Sequence, residues 1–126
     1  MGTMKKPTVS LFRRMKNEGR KITMLTAYDA PTAKLAQECG IDIILVGDSL
    51  GMAVLGYQNT LPVTLEQSLH HCAAVRRGAP DAFVIGDMPF MTCHASETDA
   101  LKNAARYLQE AQCDAVKIEG DAALAP

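Results

Sequence analysis

No two cysteines in this sequence are spaced C-x-x-C. Cys39, Cys72, Cys93 and Cys113 stand far apart. That spacing argues against both a zinc site and a disulfide frame, and leaves four reduced thiols, buried or half-buried. A dominant sign of charge is also lacking. The formal net charge of −1 gives no electrostatic grip on nucleic acid or on an anionic membrane. No uncharged apolar stretch approaches the length of a membrane span. The amino terminus carries Lys5, Lys6, Arg13 and Arg14 without an apolar stretch for a signal peptide, so a cytoplasmic protein is expected. Internal repeats and low-complexity segments are absent too. What is present is 48% hydrophobic residues in a chain of 126, enough for a single domain, 1–126, with a real core.

The organising stretch is Ile41 to Ser49, Ile-Asp-Ile-Ile-Leu-Val-Gly-Asp-Ser. A short β-branched run that stops at glycine reads as a strand buried on both faces. The elements around it alternate. Thr8 caps a helix to Asn17, with Leu11, Phe12 and Met15 on one face and Gly19 beyond its end. Lys21 to Tyr28 is a first strand, and Asp29 opens a helix that Gly40 stops. After the Ile41–Gly47 strand, Leu50 to Pro62 has no sustained period and reads as a long loop above the strand end. Thr64 and Gln67 form a capping box for a helix with a Leu65, Leu69, Cys72 and Ala73 stripe. Phe83 to Gly86 is a third strand, ending at Asp87. Ser96 caps a helix with Glu97 and Asp99 in its first turn and Leu101, Ala104, Leu108 and Ala111 on its buried face. Asp114 to Ile118 is a fourth strand, and Ala122 to Pro126 is too short for another helix. A helix followed by β-α-β-α-β-α-β implies a parallel sheet with right-handed crossovers. Half of a (β/α)8 barrel and a small doubly wound sheet both fit.

Polar residues gather where these strands end. Tyr28 and Asp29 follow the first, Asp48 and Ser49 the second, Asp87 the third, and Lys117 and Glu119 lie at the fourth. Parallel strands bring those ends to one rim, where α/β proteins bind ligands. Two or three carboxylates there, without a thiol or imidazole set, suit a hard cation such as Mg²⁺, held partly by water and substrate oxygens. A nearby lysine balances an enolate or a carboxylate. Plainer roles compete. Asp29 suits a helix cap, Asp48 a turn beside Gly47, and Asp87 a turn or salt bridge. Lys117 inside an apolar strand needs a partner, and Glu119 could be only that. His70 and His71 lie mid-helix without a ligand spacing. His94 adjoins Cys93 near the rim, but the sequence supplies no third group to orient the pair. The seven methionines read as core filler.

Several blocks in order resemble the ketopantoate hydroxymethyltransferase family. They are Thr26-Ala27-Tyr28-Asp29, Val46-Gly47-Asp48-Ser49-Leu50-Gly51-Met52, Thr60-Leu61-Pro62-Val63-Thr64, Ala74-Val75-Arg76-Arg77-Gly78-Ala79, Asp87-Met88-Pro89-Phe90-Met91 and Val116-Lys117-Ile118-Glu119-Gly120. The resemblance runs from about Pro7 to Gly120. It implies a (β/α)8 TIM barrel of the phosphoenolpyruvate/pyruvate type, of which this chain holds an N-terminal helix and about the first four strands. It also implies transfer of a hydroxymethyl group from 5,10-methylenetetrahydrofolate to α-ketoisovalerate, giving ketopantoate for pantothenate synthesis. By the same resemblance Mg²⁺ chelates the keto acid, with Asp48 and Asp87 as ligands and Glu119 as an outer or water-mediated one. Asp48, Ser49, Asp87 and Lys117 match substrate-binding positions. A homo-oligomer is implied for a complete chain, with neither nucleic acid nor membrane as partner.

Family members are about twice as long, as a whole barrel requires. The family's glutamate base falls in the second half, so no general base is expected in these residues. Two other readings follow from the same features. One is a catalytically incomplete half-barrel that self-associates through open sheet edges. The other is a related metal-dependent keto-acid lyase or mutase.

Overall fold

The computed structural model describes residues 6–120. Lys5, Met1, Met4 and the 122–126 tail lie outside the described residues. The elements are α1 (Val9–Asn17), β1 (Met24–Thr26), α2 (Ala30–Glu38), β2 (Ile43–Val46), α3 (Leu50–Ala53), α4 (Leu65–Gly78), β3 (Phe83–Asp87), α5 (Glu97–Gln109) and β4 (Ala115–Lys117). The four strands form one parallel sheet in the order β1-β2-β3-β4. Each strand lies beside the next in sequence, with helices in the crossovers.

Local chemistry accounts for most helix ends. Thr8, Asp29, Thr64 and Ser96 each accept a backbone N–H in the first turn of the helix they precede. Asp29 is therefore a cap, and its bond from Thr32 N–H holds its carboxyl below the ordinary carboxylate value. Thr64 and Gln67 complete the expected capping box.

β1, β2 and β4 are shorter than the sequence suggests, while β3 runs one residue further, to Asp87. β1 begins only at Met24, because the Asp42 carboxylate accepts both the amide and the hydroxyl of Thr23 at 2.8 and 2.9 Å. β2 is not buried on both faces. Ile44 and Val46 are buried among the helices, while Ile43 and Leu45 are half-buried on the opposite face. Register puts Leu45 beside Thr26 and Ile85, so that second face is continuous across the sheet. The aperiodic segment after Ser49 contains a helical turn, α3, because Leu50 enters the core and Gly51 O accepts Tyr57 N–H at 2.8 Å.

α5 turns a different face inward than its leucines suggest. Leu101 is 73% exposed and Leu108 51%, whereas Tyr107 is fully buried. The inward face is Ala100, Ala104, Tyr107 and Ala111. Gly86 explains the choice: a Cβ there would lie 2.3 and 2.6 Å from two Tyr107 ring carbons. The missing side chain on β3 makes the slot that the tyrosine fills. Among the described residues methionine is core filler at Met15 and Met88 only; Met24, Met52 and Met91 are exposed. All four cysteines are free thiols, three buried and Cys39 exposed.

α2 and α4 meet closely at Gly78. A Cβ on Gly78 would stand 2.1 Å from Ala30 O and 2.6 Å from Ala30 Cα, both backbone atoms. Alanine normally favours a helix over glycine, yet Gly78→Ala is expected to destabilise this protein by about 1–3 kcal/mol, because helix backbones must separate. Denaturant unfolding measures it. A gain in stability would show that the two helices can part freely.

Candidate metal and keto-acid site

The strand register builds the rim. Asp87 and Lys117 are directly paired residues of β3 and β4, so their side chains leave the sheet on the same face. Lys117 Nζ donates to Asp87 Oδ1 at 2.9 Å. Asp87 Oδ2 accepts the backbone N–H of Asp48 at 3.0 Å. The Asp87 side chain is 3% exposed, so both contacts are shielded from solvent. Lys117 also bonds Glu119, whose side chain is 67% exposed. Burial alone would lower the Lys117 ammonium. The hydrogen bonds and charges of Glu119 and Asp87 outweigh it and raise the ammonium above its usual value. Ser49 Oγ lies 2.8 Å from the Tyr28 hydroxyl, which joins the ends of β1 and β2.

Asp48 itself is half-buried. Burial pushes its carboxyl up first, then the negative charges of Asp87 and Glu119 push it further, with Thr60 and Lys117 pulling part-way back. Three carboxylates therefore crowd one rim electrostatically. They do not form a closed cage: among the described residues, no three His, Cys, Asp or Glu side chains converge as a metal-binding group. The donor set still fits Mg²⁺. That ion commonly takes one or two hard carboxylates, with water and substrate oxygens completing its shell. Asp48 and Asp87 can supply the carboxylates. Glu119, with its side chain 67% exposed, stands at the outer edge of the group and can contribute from further out.

Residues 6–126 match a protein-family model described as ketopantoate hydroxymethyltransferase. The chain belongs to this family. It is 59% identical over 109 residues to 3-methyl-2-oxobutanoate hydroxymethyltransferase of Geobacillus kaustophilus (strain HTA426), covering 86% of this chain and 39% of that protein. It is 56% identical over 123 residues to the enzyme of that name from Desulfotalea psychrophila (strain LSv54 / DSM 12343), covering 98% of this chain and 44% of the relative. The chain thus spans about two fifths of the length of the curated relatives it matches. Among solved structures it resembles a phosphonopyruvate hydrolase in complex with oxalate and Mg²⁺, with a TM-score of 0.67 and 18% identity, over 88% of this chain and 40% of the other. A 2,3-dimethylmalate lyase, described as a PEP mutase/isocitrate lyase superfamily member, gives 0.66 and 22%, over 87% and 37%. At these identities the likeness shows the fold alone. The shared fold is α/β, with α1 and four parallel strands of this chain matching about two fifths of each of those proteins.

The rim candidates Asp48, Asp87, Lys117 and Glu119 are thus brought together, and Ser49 stands beside them with Tyr28. The histidines meet the rim only through backbone carbonyls, or not at all. His70 is exposed on α4, and His71 Nδ1–H donates to Tyr28 O at 2.6 Å. His94 has a partner that sequence alone did not supply: its Nε2–H donates to Glu119 O at 2.8 Å. Its Nδ1 then accepts from the Cys93 thiol at 3.4 Å. Burial pushes that thiol up, away from nucleophilic chemistry. Sequence reading missed Tyr107 and Ser68, which reach the Asp87 carbonyl. The one available signal was Gly86, a glycine inside a strand, which marks a close approach.

Proposed function

We propose that these residues form the cation and keto-acid face of a 3-methyl-2-oxobutanoate hydroxymethyltransferase. The reaction joins 5,10-methylenetetrahydrofolate, α-ketoisovalerate and water to give tetrahydrofolate and ketopantoate. A proton leaves the branched carbon next to the keto group, and a new carbon–carbon bond forms from that carbon to the folate methylene. Both carbon–nitrogen bonds of the methylene break, and water supplies the hydroxyl oxygen. The substrate proton and one water proton end on the two folate nitrogens. The observation that carries this reading is the convergence of Asp87 on both Lys117 and the Asp48 amide.

Asp48 and Asp87 would hold Mg²⁺. When bound, the ion supplies a Lewis acid at the keto oxygen. Lys117 offers a cation to the substrate carboxylate, and Ser49, fixed by Tyr28, offers a hydroxyl beside it. Glu119 keeps Lys117 in place and serves as an outer partner. None of the described residues is assigned as the base; that group belongs to the part of the relatives that this chain does not span.

The half-buried face of Ile43, Leu45 and Ile85 and the exposed Leu101 and Leu108 support a domain of which residues 1–126 are the first half. Four further strands would cover the sheet face, and a following helix packed beside α5 would cover the two leucines. No helix among the described residues is long and apolar enough to cross a membrane. A cytoplasmic homo-oligomer fits this reading of the complete protein.

The test uses the complete protein with α-ketoisovalerate, the folate and Mg²⁺. Ketopantoate is expected to form, to cease with a chelator and to return with added Mg²⁺. Full turnover in chelator would overturn the cation role. Turnover of an unbranched keto acid, with none of the branched one, would overturn the substrate.

A further inference from the structure

Two buried hydroxyls stand outside the roles assigned so far. Tyr107 comes from α5 and Ser68 from α4, and both are fully buried. The Tyr107 hydroxyl donates to Ser68 Oγ at 2.7 Å and reaches the Asp87 carbonyl at 3.0 Å. Ser68 in turn donates to that carbonyl at 3.2 Å. The Tyr107 ring fills the slot over Gly86, the residue before Asp87. Two helices behind the sheet thus hold the main chain of one rim residue. The carboxylate of that residue meets two donors from different strands, Asp48 N–H at 3.0 Å and Lys117 Nζ at 2.9 Å. A carboxylate can satisfy both only if its Cα keeps its place, since Asp has one short stem.

We propose that Tyr107 and Ser68 are positioning residues for Asp87, holding its backbone so that its carboxylate spans Asp48 and Lys117. The proposal rests on the reading of Asp87 as a site residue. Groups behind a ligand that orient it commonly matter to the site nearly as much as the ligand itself. A merely structural role would stabilise the core without aiming the carboxylate. The two differ at a probe built into the structure, the Asp48 amide, whose proton sits on Asp87 Oδ2.

The experiment is Tyr107→Phe in the complete protein, with Ser68→Ala as the second variant. Tyr107→Phe keeps the ring in its slot and removes only the hydroxyl. Hydrogen exchange at the Asp48 amide is expected to quicken about tenfold, while helix amides of α2 keep their wild-type rates. The dissociation constant for Mn²⁺, read by electron paramagnetic resonance, is expected to rise about tenfold. Ser68→Ala should move both in the same direction by less, because its bond is the longer. An unchanged Asp48 amide in both variants would overturn the proposal. So would an equal quickening across all helix amides, the mark of general loosening. Failure of the wild-type protein to bind Mn²⁺ would count against the proposed function instead, and the Asp48 amide would still decide the positioning role.

Discussion

Asp87→Ala in the complete protein is expected to lower ketopantoate formation by about 10³-fold or more. The size follows from how much one side chain does. The buried Asp87 carboxylate accepts the Asp48 amide on one oxygen and Lys117 on the other. Its removal takes a carboxylate from the proposed cation site and leaves Lys117 with Glu119 alone. Truncation also leaves the Asp48 amide without its acceptor, so a stability loss of about 1–3 kcal/mol should accompany it. Asp87→Asn separates the two effects. The amide oxygen can still accept from Asp48, so the fold should be kept. The negative charge is lost, and an N–H group faces the Lys117 ammonium, donor against donor. We therefore expect the Asn variant to melt near the wild-type temperature and to be as inactive as the Ala variant. Wild-type turnover in Asp87→Asn would remove Asp87 from the site.

Arg76→Ala should have its large effect on stability instead. Arg76 is 8% exposed and lies on α4, close in sequence to three of the groups it binds and far from the other two. Nε donates to Gln112 O at 2.9 Å, and one terminal nitrogen donates to Ala79 O, Pro80 O and Ala82 O at 3.1, 3.2 and 2.9 Å. The other pairs with the Asp114 carboxylate, which also accepts Val84 N–H at 2.9 Å. These groups gather around the starts of β3 and β4, opposite the rim. Alanine would leave several carbonyls unpaired and take from Asp114 its buried cation, leaving it the more exposed Lys6. Breaking such a buried pair from one side typically costs about 3–5 kcal/mol, and denaturant unfolding should show that loss. Adding Asp114→Asn to Arg76→Ala should cost less than the sum of the single changes, since the stranded charge goes with it. Turnover per folded molecule should stay at the wild-type level. A loss below about 1 kcal/mol would show that water replaces the guanidinium.

The contrast between Asp87 and Arg76 reflects what was legible along the chain. Asp87 announced itself as an acid at a strand end within a family motif. Arg76 lay in a family block too, but nothing local distinguishes a surface arginine from one that closes two strand starts. Its five partners lie at Ala79, Pro80, Ala82, Gln112 and Asp114, and only folding brings the last two near.

The sequence by itself determined the element order apart from the short α3, the caps at Thr8, Asp29, Thr64 and Ser96, and the acids at the strand ends. Those features depend on neighbours within four residues, so spacing reveals them. It also carried the family blocks. Only the tertiary structure decided that Tyr107, not Leu101 or Leu108, faces the core, because the slot for it is a glycine on another strand. Only the register of β3 and β4 put Lys117 on Asp87, and only the approach of β2 put the Asp48 amide there as well. Those contacts span 30 and 39 residues. A period or a cap cannot encode them, since they depend on which strands pair and on how closely the helices behind them can pack.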